Sequence, residues 1–134
     1  MNRLKSSGKI LIVEDDEDYR FLIKLVASKI NVDFDVVELI DGEEFVNYMK
    51  TCNDITTIKF ITLDFHMPKI NGIDALKKVV ESHGPLENPV LLLTTDPVAE
   101  DLEVAKYLKY HFMKKPHNVN ELTEAFKRFI KPNS

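Results

Sequence analysis

Cysteine is nearly missing from this sequence: Cys52 is the only one in 134 residues. A lone thiol excludes an internal disulfide and a thiolate metal cluster. Long apolar runs are missing too. No stretch approaches the roughly 20 residues needed to span a bilayer. The polar, basic start from Met1 to Gly8 lacks the apolar centre of a secretory signal, so a cytoplasmic location is the default expectation. Positive charge is not in excess either. Lys and Arg total 18 against 22 Asp and Glu, a formal net charge of −4, which disfavours broad nucleic-acid binding. Linkers, internal repeats and low-complexity segments are also lacking. What is there, 44% apolar and 30% charged residues, is ordinary for one soluble domain large enough to bury a core.

The pattern is organised around the stretch from Phe60 to Pro68. An apolar, strand-like run ends in Asp64, and a Met67-Pro68 turn follows. A carboxylate at the end of a buried strand is costly unless its charge is used. Asp64 therefore reads as a phosphate acceptor or, alternatively, as a simple turn cap. Other strands are expected at Lys9 to Val13, Phe34 to Leu39, Val90 to Leu93 and His111 to Lys114, and Ile58 to Leu63 leads into Asp64.

Helices are expected between and after these strands. The first carries Leu22, Leu25, Val26 and Ile30 on its apolar face. The second opens with a capping box from Asp41 to Glu44 and carries Phe45, Val46 and Met49. A third, Gly72 to Glu81, carries Ile73, Leu76, Val79 and Val80. A fourth starts at Asp96-Pro97 and is weakly apolar, with Leu102, Ala105 and Leu108. The last follows the capping spacing Asn118 to Glu121 and carries Leu122, Ala125, Phe126, Phe129 and Ile130. Five β-α units with right-handed crossovers predict an α/β fold, a doubly wound five-stranded parallel sheet covered on both faces. The functional site of such a sheet lies at the carboxyl ends of its strands. The residues just past those ends are Asp15 and Asp16, Asp64, Thr94 and Lys115.

Charges of one sign at one edge repel. Two carboxylates about 4 Å apart cost on the order of 4 kcal/mol at an effective dielectric of about 20. Mg²⁺ removes that cost and takes carboxylate, water and phosphate oxygens, which suits Asp15, Asp16 and Asp64. Capping the first helix is the alternative use of Asp15 and Asp16. Thr94 offers a hydroxyl to a phosphoryl oxygen, and Lys115 an ammonium to Asp64 and then to that oxygen. A strand-end threonine and a surface lysine are their plain readings. A cis Lys115-Pro116 bond is a natural way to set that loop.

The ordered set is specific where its members are not: acids after the first strand, an acid after the third, a hydroxyl after the fourth, Lys-Pro after the fifth. From about Lys9 to Ile130 it resembles the receiver domain of two-component response regulators, through Ile-Leu-Ile-Val-Glu-Asp-Asp at 10–16, Leu-Asp-Phe-His-Met-Pro-Lys-Ile-Asn-Gly at 63–72, Pro-Val-Leu-Leu-Leu-Thr at 89–94 and Lys-Lys-Pro at 114–116. The resemblance implies a flavodoxin-like (β/α)5 fold of strand order 2-1-3-4-5, a receiver domain over 9–131, a flexible leader over 1–8 and a tail over 132–134. It implies that Asp64 takes a phosphoryl group from a phosphohistidine on a histidine kinase or phosphotransfer protein. Asp15, Asp16, Asp64 and the His66 backbone carbonyl would hold Mg²⁺; Thr94 and Lys115 would bind phosphoryl oxygens; Phe112 would be the switch aromatic. Output would pass through the helix after Asp96, the fifth strand and the final helix, to a protein target or a second copy. No nucleic acid or membrane is expected as a direct partner, and output is expected by protein contact rather than through an attached output domain. The domain would be no enzyme beyond catalysing its own phosphorylation and dephosphorylation.

Some positions depart from the family pattern. Tyr107 to Phe112 lacks the usual Gly-Ala pair, Thr95 stands for a small residue, and His66 and Asp96 occupy positions that tune acyl-phosphate lifetime. A dehalogenase-type phosphatase would need an acid where His66 stands. A flavin carrier of the same fold would need a phosphate loop where Glu14-Asp15-Asp16 stands. A receiver-like module that binds without phosphorylation is the remaining alternative.

Overall fold

Strand β1 (Gly8–Val13) is an interior strand of the sheet, and its residues from Ile10 to Val13 are wholly buried. In this computed structural model, which describes residues 8–31, 33–95, 103 and 110–130, β1 pairs in parallel with β2 (Phe34–Leu39) on one side and β3 (Ile58–Asp64) on the other. Beyond β3 lie β4 (Val90–Thr94) and β5 (His111–Lys114), so the order is β2-β1-β3-β4-β5. The expected strand order and parallel sense are those observed.

Alternation along the strands creates two cores. Leu11, Val13, Ile61, Leu63 and Leu92 face helices α2 (Gly42–Thr51) and α3 (Gly72–His83). Ile10, Ile12, Phe60, Leu91 and Leu93 face α1 (Glu17–Ile30) and α4 (Val119–Phe126). Phe60 anchors the second core, edge-on to Phe126 at 5.1 Å and stacked on Phe129 at 4.9 Å.

Each helix starts where its cap residue dictates. Asp16, Asp41, Asn71 and Asn118 accept backbone N–H bonds at the openings of α1 to α4. The Asp41 box closes as expected in kind: Asp41 Oδ1 accepts from Glu44 N at 2.8 Å, while Glu44 reaches back one residue further, to the N–H of Ile40 at 2.9 Å. Gly84, at φ +79°, ends α3 in a conformation that favours glycine.

Two expectations are corrected. The buried stripe of α1 is Tyr19, Ile23, Val26, Ala27 and Ile30, whereas Leu25 is 42% exposed. The two arcs share Val26 and Ile30, and apolar residues lie on both, so periodicity alone does not choose between them. The Lys115-Pro116 bond is trans, as are the other described peptide bonds. Lys115 N–H continues the β5 ladder by donating to the Thr94 carbonyl at 2.7 Å, and the strand runs straight into the proline. The helix expected from Asp96, with Leu102, Ala105 and Leu108, lies outside the described residues apart from Glu103, which is helical and exposed.

Candidate functional site

Parallel pairing sets the site residues level with one another. Asp64, the last residue of β3, lies opposite Leu93 of β4, and Thr94 lies opposite Lys114 of β5. Asp64, Thr94 and Lys115 thus occupy three neighbouring strand ends, and all are buried, at 4%, 1% and 8% exposure. On the far side of β3, β1 delivers Glu14. Its N–H donates to the Leu39 carbonyl at 3.0 Å, so the chain stays in the sheet for one more residue and carries the Glu14 side chain inside.

The charged atoms converge there. Lys115 Nζ is 2.6 Å from Glu14 Oε1 and 3.5 Å from Asp64 Oδ2. Asp64 Oδ1 accepts the His66 N–H at 3.2 Å. Glu14, Asp15 and Asp64 each bring a carboxylate oxygen within 4.8 Å of the others, with Asp15 the exposed member. The acid expected beside Asp15 is therefore replaced: Glu14 joins the cluster, and Asp16 does not. Asp16 instead turns its Oδ1 to the N–H groups of Asp18 at 2.9 Å and Tyr19 at 3.4 Å, the capping alternative. The signal for Glu14 was the strand end itself, since an acid directly after Val13 stays in register with the sheet.

Burial pushes the Glu14 carboxyl up to about 7, with the Lys115 hydrogen bond pulling against it and the Asp64 charge adding to it. Burial likewise raises Asp64, opposed by the Lys115 charge and the His66 N–H. One ammonium does not balance three carboxylates. The donor set, all hard carboxylate oxygen, fits Mg²⁺ in chemistry and in spacing.

The loop after Asp64 is held close. Gly72 N–H donates to the Phe65 carbonyl at 2.8 Å. A Cβ on Gly72 would stand 2.2 Å from the Asp64 carbonyl oxygen, so the Asp64 backbone excludes a side chain. Lys69, at φ +70°, reaches Asp41 Oδ2 at 3.4 Å and ties this loop to the start of α2. His66 and Thr95 are exposed, and Asp96 lies outside the described residues. Phe112 lies opposite Leu92, two residues before the level of Thr94, and packs half-buried against the α2 and α3 side.

Tyr19 carried no signal in the sequence beyond an aromatic residue in the first turns of α1. Its ring lies 4.5 Å from Lys115 Nζ, and its O–H donates to the Pro116 carbonyl at 2.8 Å.

The family model for the response regulator receiver domain matches residues 10–127. The chain is 30% identical over 125 residues to the transcriptional regulatory protein CpxR of Escherichia coli (strain K12), covering 92% of this chain and 50% of CpxR, and so spans half the length of that relative. It is 29% identical over 126 residues to the chemotaxis protein CheY1 of Helicobacter pylori (strain J99), covering 93% of this chain and 98% of CheY1. In structure it resembles the phosphorylated cyanobacterial phytochrome response regulator RcpA, with a TM-score of 0.80 at 21% identity over 96% of this chain and 100% of RcpA. Sequence, fold and comparison agree that the chain belongs to the response regulator receiver domain family of two-component signalling.

Proposed function

We propose that Asp64 is the phosphoryl acceptor, and that its modification by a partner's phosphohistidine switches a protein-binding surface. The observation that carries this reading is the convergence of a buried strand-end carboxylate, two further acids and one buried lysine on a single sheet edge. In the transfer, an Asp64 carboxylate oxygen attacks phosphorus. The O–P bond forms as the N–P bond breaks, the electron pair stays on the imidazole nitrogen, and that nitrogen takes a proton from solvent. The chemistry needs positioning and charge compensation rather than a protein acid or base.

Glu14, Asp15 and Asp64, with the His66 carbonyl, are the oxygens that would hold Mg²⁺. Bound Mg²⁺ would supply positive charge that offsets the carboxylates and the phosphoryl oxygens. Lys115 releases Glu14 or Asp64 to meet a phosphoryl oxygen, and Thr94 donates its hydroxyl to another. A phosphoryl group adds about two negative charges. Movement of Thr94 toward it, with Phe112 turning inward, would carry the change to β5, α4 and the segment before β5. The domain proper is taken as 9–131. A histidine kinase or phosphotransfer protein is the donor, and a protein target reads the result.

Incubation with Mg²⁺ and acetyl phosphate, followed by intact-mass measurement, tests the reading. The expected result is one phosphoryl group on the wild type and none on Asp64→Asn. An adduct that survives in Asp64→Asn sinks the assignment, and an unmodified wild type favours a binding module that works without phosphorylation.

A further inference from the structure

We infer that Tyr19 is a positioning residue for Lys115: its ring face holds the ammonium, and its hydroxyl pins the backbone that carries it. This inference rests on the phosphoryl-acceptor reading above. Lys115 Nζ is enclosed by Glu14 at 2.6 Å, Asp64 at 3.5 Å and the Tyr19 ring at 4.5 Å. The two carboxylates are partners the lysine must leave, in whole or in part, when it turns to a phosphoryl oxygen. Of these three partners among the described residues, the ring attracts the ammonium without a charge that it must give up. A cation over an aromatic face is attracted most strongly when both are dry, and Tyr19 and Lys115 are each 8% exposed.

The hydroxyl acts on the other end of the same residue. It donates to the carbonyl of Pro116, the next residue after Lys115, at 2.8 Å. On the preceding side, the Lys115 N–H donates to the Thr94 carbonyl at 2.7 Å. The lysine backbone is therefore fixed on both flanks, once by the sheet and once by α1. Pro116 offers no N–H of its own to the neighbouring structure, and the bond to its carbonyl ties this turn to the helix. Burial together with the nearby Glu14 and Asp64 charges raises the phenol further above neutrality, keeping it a donor.

A double-mutant cycle tests this. Phosphorylation of Asp64 by acetyl phosphate at saturating Mg²⁺ is compared in wild type, Tyr19→Phe, Tyr19→Leu, Lys115→Ala and Tyr19→Leu/Lys115→Ala, each checked for folding by thermal unfolding. Tyr19→Leu is expected to slow the rate roughly tenfold, to leave Mg²⁺ affinity within about twofold, and to add nothing once Lys115 is alanine. Tyr19→Phe keeps the ring and its packing and is expected to lose less. A second readout needs no phosphorylation. The Lys115 ε-methylene protons should resonate upfield through the ring current in wild type and Tyr19→Phe, and return to ordinary positions in Tyr19→Leu. Equal losses from Tyr19→Leu with and without Lys115, or unshifted methylene protons in wild type, overturn the role of Tyr19 while the acceptor reading stands. A wild type that takes up no phosphate overturns both.

Discussion

At Gly72 the chain has no room for a side chain, because the Asp64 carbonyl oxygen fills the space. Gly72→Ala should therefore push the loop off Asp64, lowering both the melting temperature and the yield of phosphorylation; an alanine variant that matches wild type in both would remove this constraint. Glu14 makes a different prediction. Its folded pKa is raised to about 7, so between the ordinary carboxylate range and pH 7 the native state binds more protons than the unfolded one. The Glu14 contribution to the stability of the metal-free protein should then fall as pH rises through that window and level off above it. Urea unfolding at a series of pH values checks the slope, and Glu14→Gln should flatten it. The same variant should weaken Mg²⁺ binding, because it removes one of the three clustered carboxylates.

At the scale of an element, α1 joins two duties that neighbouring acids divide. Asp16 caps the helix, so Asp16→Ala should cost about 1 kcal/mol of stability with a small effect on Mg²⁺ affinity. Asp15→Ala should do the reverse. Calorimetric Mg²⁺ titration and denaturant unfolding of both variants separate the duties, and equal loss of affinity in the two would return Asp16 to the cluster. The helix also carries Tyr19 inward to Lys115 and leaves Phe21 63% exposed. Its apolar residues lie around most of its circumference, which is why the arc through Leu25 was as legible as the arc through Ile23.

At the scale of the molecule, the sheet separates two cores that meet different helices. Phe60 and Phe126 are fully buried and touch across the second core. Phe126→Ala should cost about 3–5 kcal/mol, read as a lower urea midpoint at unchanged slope, and it should leave the sheet edge that carries Asp64 in place. A variant that lost phosphorylation while still folded would show the two ends of the domain to be more tightly joined than the packing indicates.

Most of the fold was legible in the sequence because a buried parallel strand is a short apolar run with abrupt ends, and four of the five expected strand ends deliver chemistry to one edge. Asp64, Thr94 and Lys115 could be named from that rule alone. A cluster of acids at the end of β1 was legible in kind, but the structure gathers Glu14 and Asp15 with Asp64 where the pattern pointed to Asp15 and Asp16. Three acids in a row after Val13 look alike to any pattern, and only the bond from Glu14 N–H to Leu39 decides that the sheet continues for one residue and the helix cap begins two later. The partnership of Tyr19 with Lys115 joins residues far apart in the chain. A contact between residues so far apart has no local periodicity to reveal it. The sequence by itself determined the alternation, the strand ends and the carboxylate that closes β3, because these follow from burial of one residue after another. Tertiary structure alone decided which acid sits inside, which caps a helix, and what holds the lysine, because those depend on which strand and which helix each residue meets.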